Sequence, residues 1–104
     1  MKLRDLASSR AGDKGHISNL SVVAYSKDNF DFLESYLTAE RVRDYFLPMC
    51  SHPEFTVVRY ELPQLNAFNF VLYHLLGKGV TQSLALDAHG KTLSGYLLSM
   101  ELET

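Results

Sequence analysis

Residues 8–19, SSRAGDKGHISN, gather Arg10, Asp13, Lys14, His16 and Asn19 around glycines at 12 and 15, between two apolar runs. Gly12 and Gly15 permit positive φ, so the backbone N–H groups around Asp13 and Lys14 could converge on an anion, with Arg10, Lys14 and His16 supplying charge. A phosphate or a carboxylate suits such a nest. The stretch is no nucleotide-type phosphate loop: the spacing G-x-x-x-x-G-K-[ST] fails, and no Ser or Thr follows Lys14. Turn statistics alone favour a plainer role, in which residues 12–15 close a hairpin. Asn66 and Asn69 lie three apart on a stretch that reads as helix, with His74 one position off the next turn of that stripe, and Asn69 could brace this loop or touch its ligand. The alternative is a bond to nearby backbone, because a buried amide without a partner costs about 1–3 kcal/mol.

Other chemistries find little support. His16, His52, His74 and His89 show neither H-x-x-x-H nor H-E-x-x-H spacing, so no metal site is expected. Cys50 is the only cysteine, which excludes an internal disulfide, a CxxC pair and a cysteine-ligated iron–sulfur cluster within the chain. No G-x-S-x-G presents a nucleophile. No catalytic residue is assigned, and no cofactor is expected. Lys plus Arg number 10 against 12 Asp plus Glu, a net charge of -2 with no basic block, which disfavours nucleic acid and membrane surfaces as partners. The N-terminus MKLRDLASSR has no apolar core of a secretory signal, and no segment approaches the roughly 18 apolar residues of a membrane span. A reduced, cytoplasmic setting is the expectation.

The elements that must position these residues follow from periodicity. Residues 3–9 read as a short strand. NLSVVAYS, 19–26, is β-branched and apolar on both faces, as a central strand would be. DNFDFLESYL offers Asp28 or Asn29 as an N-cap with Phe30, Leu33 and Leu37 at helical spacing. Thr38 can cap a second helix with a stripe of Val42, Tyr45, Phe46 and Met49, limited by Pro48. FTVVRYELP, 55–63, alternates Thr56, Val58, Tyr60 and Leu62 against Phe55, Val57, Arg59 and Glu61, a half-buried strand. Residues 64–76 are apolar on nearly every face of a helix, with Gly77 suited to the left-handed position that ends it. Residues 81–87 alternate as a strand, AHGK turns, and Thr92 can cap a last helix with Leu93, Leu97 and Met100. The order β, β, α, α, β, α, β, α predicts a two-layer α+β sandwich, with helices on one face of a mainly antiparallel four-stranded sheet, as one domain over 1–104.

Four blocks together carry a resemblance: SRAGDKG followed by an Asn and a hydrophobic strand, TAERVRDYF, RYELPQLNAFNFVL, and SLALDAHGKTLSGYLLSME. In combination they resemble the ferredoxin-fold domain of acyclic terpene utilisation (AtuA-like) proteins, over almost the whole chain. The resemblance implies a ferredoxin-like sandwich and a place in the breakdown of acyclic terpenoids or branched acyl-CoA compounds. It matches Arg10, Gly12, Asp13, Lys14 and Gly15 to the family's glycine loop, and Asn69 to the Asn of its N-F-V-L block. In many members this domain follows a much larger one. A stand-alone version therefore implies a separately encoded AtuA-like large subunit, or a homo-oligomer, as partner. Two roles stay open: a non-catalytic accessory or interaction domain, and a domain whose loop binds an acyl-CoA phosphate or carboxylate in an active site.

Overall fold

In the computed structural model the described residues are 1–14, 17–49, 53–74 and 93–103, with residues 13, 14 and 49 described by their backbone. Four strands, β1 (Ala7–Lys14), β2 (Ile17–Ala24), β3 (Thr56–Leu62) and β4 (Ala67–Tyr73), form one sheet in the order β1-β2-β4-β3, every neighbouring pair antiparallel. Helices α1 (Lys27–Tyr36), α2 (Ala39–Phe46) and α3 (Leu93–Leu98) pack on one side of it, against β2, β3 and β1 respectively. The expected architecture, helices over a four-stranded antiparallel sheet, is the one observed.

The membership of the sheet differs from expectation at two places. Residues 64–76 are not a helix: Pro63–Leu65 make a 3-10 turn, Asn66 takes the left-handed conformation at φ 52°, and 67–73 run as the inner strand β4. Phe68, Phe70 and Leu72 point into the core while Asn69, Val71 and Tyr73 alternate on the other side. The outward Val71 and Tyr73 are themselves apolar. They hid the two-residue period and made the stretch look apolar all round. Residues 3–9 also divide, into a 3-10 turn at Leu3–Asp5 and the start of β1. The strand read at 81–87, Gly77 and the Thr92 cap lie outside the described residues.

Local chemistry explains the helices. Ser26, not Asp28 or Asn29, caps α1, its Oγ accepting from the N–H of Asn29 at 3.1 Å; Thr38 Oγ1 accepts from Arg41 N–H at 3.1 Å and opens α2. Each such cap is worth about 1 kcal/mol. Their apolar stripes, Phe30, Leu33 and Leu37, then Val42 and Phe46, join Leu20, Val22, Phe68, Phe70 and Leu72 in one buried cluster. Phe30 stacks on Phe68 with ring centroids 4.8 Å apart. Helix α3 adds Leu93 and Leu97 and is held by a reciprocal pair, in which Tyr45 Oη donates to the Tyr96 carbonyl at 2.8 Å and Tyr96 Oη to the Tyr45 carbonyl at 3.1 Å. Burial, with Tyr45 alongside, raises the Tyr96 phenol above its ordinary 10.0.

Arg59, on the core side of β3, ties the edge of the sheet to the end of α1. Its Nη1 donates to the carbonyls of Glu34 and Leu37, each at 2.9 Å, and its Nη2 to Glu61 Oε2 at 2.8 Å, with the guanidinium carbon 5.1 Å from the Phe68 ring centroid. Last-turn carbonyls have no partner within a helix and carry its negative dipole end, so a cation there satisfies both needs. Beside it Glu34 meets Glu61. A hydrogen bond with the Glu61 carboxyl, and then the Glu61 charge, hold Glu34 above the ordinary value of 4.5.

Two outcomes are expected at this junction. Arg59→Met keeps the stem but strips both carbonyls and Glu61 of their donor, and should lower unfolding free energy by about 2 kcal/mol in urea denaturation. For Glu34 the folded pKa lies above the unfolded one, so its favourable contribution is complete below pH 4.5 and is lost as pH rises through the raised value. Glu34→Gln should therefore melt higher than the parent at neutral pH, and the difference should close in thermal melts below that range.

Candidate functional site

Antiparallel register carries the alternation of each strand across the whole sheet, because residues directly opposite one another share a face. Arg10 stands opposite Ser21, Ser21 opposite Asn69, and Asn69 opposite Tyr60. The four make one row, a residue from each strand, on the side away from the helices. At the usual strand spacing this row spans about 14 Å. Arg10 is exposed, Tyr60 is 52% exposed, and Ser21 and Asn69 are half-buried. Ser21 Oγ donates to the Arg10 carbonyl at 3.5 Å, a long contact that leaves the hydroxyl available to a better partner.

The flanking rows differ in character. On one side Val23 and Leu62, 41% and 44% exposed, stand either side of the small, buried Ala67. On the other lie Gly12, Asn19, Val71 and Val58. A Cβ built on Gly12 would meet nothing within 4 Å. No neighbouring atom demands glycine there; its effect is to leave an opening through which an approaching group can reach the strand. No helix of the described residues packs on this face.

The residues singled out from sequence are distributed as follows. Gly12, Asp13 and Lys14 do not belong to a loop: they are the last three residues of β1, paired with Asn19, Ser18 and Ile17. Consecutive and antiparallel, β1 and β2 make the hairpin of the plainer reading, with residues 12–14 still in its strand; the nest at 12–15 includes Gly15 and so lies partly outside the described residues. Gly15 and His16 lie outside the described residues, as do Cys50, His52 and His89. Asn69 shares a face with Arg10 and Gly12, through strand register and not through a helical stripe. Asn66 serves the turn into β4, where its left-handed backbone suits an Asn. Sequence reading passed over Ser21 and underused Tyr60. The signal was present, since Asn19, Ser21 and Val23 alternate in β2 and Tyr60 falls in the outward phase of β3.

Among the described residues no three His, Cys, Asp or Glu side chains come together as a metal site, and no helix is long and apolar enough to cross a membrane. Arg59 and Glu61 of the RYELP block face the core side and serve the fold. Arg10, Gly12, Tyr60 and Asn69 of the same blocks meet on the open face.

Compared with known families, residues 1–103 match the AtuA ferredoxin-like domain. No curated protein and no solved structure matches the chain. The match spans all four strands and all three helices described above, and their α+β arrangement agrees with a ferredoxin-like fold: the chain belongs to the AtuA ferredoxin-like domain family.

Proposed function

We propose that this domain is a non-catalytic interaction module of an AtuA-like system acting on acyclic terpenoids or branched acyl-CoA compounds, and that it docks its open sheet face onto a larger AtuA-like domain. One observation carries the reading. Motif residues from two separate blocks, Arg10 and Gly12 of one and Tyr60 and Asn69 of the other, arrive on a face that the described helices leave bare. A half-exposed mixture of Tyr60, Val23 and Leu62 around a hydrogen-bonding row has the character of a protein interface, where aromatic and Arg anchors dominate the energy. The other role, a loop that grips an acyl-CoA phosphate or carboxylate, has less behind it, because the backbone at 12–14 is paired strand.

Size-exclusion chromatography with light scattering, on the domain with and without a purified AtuA-like large domain, tests this. A stable complex is expected. Tyr60→Ala should weaken it about tenfold or more, while the melting curve of the isolated domain stays close to the parent's, since the side chain faces away from the core. A domain that ignores the large chain, or a Tyr60→Ala variant that binds as well as the parent, refutes the assignment.

A further inference from the structure

The charge on the open face is one-sided. Among the described residues no Asp or Glu occupies a strand position on this side; the charged residue types at those positions are Arg10 and Lys14, in a chain whose net charge is -2. Asp13 and Glu61 fall on the opposite phase of β1 and β3, and Glu34, Glu40 and Asp44 belong to the helices on the far side. Two copies meeting face to face would bring cations together with no anion between them, which disfavours a symmetric pair on this surface.

The row itself is a line of donors. A guanidinium can only donate, and the hydroxyls of Ser21 and Tyr60 and the amide of Asn69 can all donate as well. An ionised carboxylate only accepts, and it fits the fork of an Arg side by side. The row crosses four strands on an open surface, whereas small ligands are held in concave sites that bury most of their area. The depression of about 380 Å³ at the β3–β4 turn is lined by Glu61, Leu62, Pro63, Gln64 and Leu65, and includes no member of the row. We infer that the surface received by this face is an acidic protein surface, with Asp or Glu side chains opposite the row Arg10–Ser21–Asn69–Tyr60 and an apolar margin against Val23 and Leu62. The inference rests on the docking reading and specifies the chemistry of the partner.

Calorimetric titration of a purified AtuA-like large domain with parent, Arg10→Glu and Arg10→Lys domains, at low and moderate salt, tests it. Affinity should fall about tenfold or more for Arg10→Glu, fall less for Arg10→Lys, and drop severalfold as salt rises from about 50 to 300 mM. A complex indifferent to both salt and Arg10→Glu overturns the acidic surface and leaves docking intact. Absence of any complex overturns both. If acetate or inorganic phosphate alone saturates shifts of the Arg10 and Asn69 side-chain resonances in the isolated domain, the row is a small-anion site and the acidic protein surface is refuted.

Discussion

Seven consecutive residues of β2 pair with β4, from Ile17 opposite Tyr73 to Val23 opposite Ala67, and this register decides two surfaces at once. Leu20, Val22, Phe68, Phe70 and Leu72 go inward together, and Asn19, Ser21, Val23, Asn69 and Val71 go outward together. A slip of β4 by one residue would turn its set over, exposing Phe68, Phe70 and Leu72 and burying Asn69. Each large apolar side chain returned to water costs roughly 1.5–3 kcal/mol, comparable in sum with the whole stability of a small domain. The register that builds the core is thus the one that assembles the outer row. The outer row needs no energy of its own to stay aligned.

Around this centre the edges are held by polar devices of modest strength. Arg59 links β3 to the last turn of α1, and the Tyr45–Tyr96 pair links α2 to α3. At the chain ends, the Leu3 N–H donates to the Met100 carbonyl and the Leu102 N–H to the Met1 carbonyl, both at buried leucines. These contacts lie on the helix side. A sheet with its polar ties and its apolar bulk on one face can vary the other face at little cost to the fold. That freedom is what a recognition surface requires, and it accounts for a motif such as RYELP serving two ends: Arg59 and Glu61 in the fold, Tyr60 and Leu62 on the open side.

Most local structure was legible in the sequence where period and caps agreed. The strand at 55–63, the Thr38 cap, the helical stripes of Phe30, Leu33 and Leu37 and of Val42 and Phe46, and a central strand beginning near residue 19 follow from side-chain chemistry that neighbours cannot easily override. The stretch 64–76 was not legible. With Phe, Leu, Val and Tyr on both sides of a period-two pattern, helix and strand account for it equally well, and only the availability of β2 and β3 on either side resolves the matter. The glycine stretch was legible as a hairpin but not in its bounds, for a related reason. Gly12 allows a turn but does not require one, and the pairing of Gly12, Asp13 and Lys14 with β2 drew the backbone straight.

By itself the sequence determined the family, the α+β class and which side chains are apolar enough to make a core, because these depend on composition, short-range spacing and recurring motifs. The tertiary structure alone decided that Arg10, Ser21, Asn69 and Tyr60 stand in one row. They are separated by up to 59 positions in the chain and come together only through the strand order β1-β2-β4-β3. Strand order and register are set by long-range packing of Phe68, Phe70 and Leu72 against the helices, and no local property of the four residues contains them.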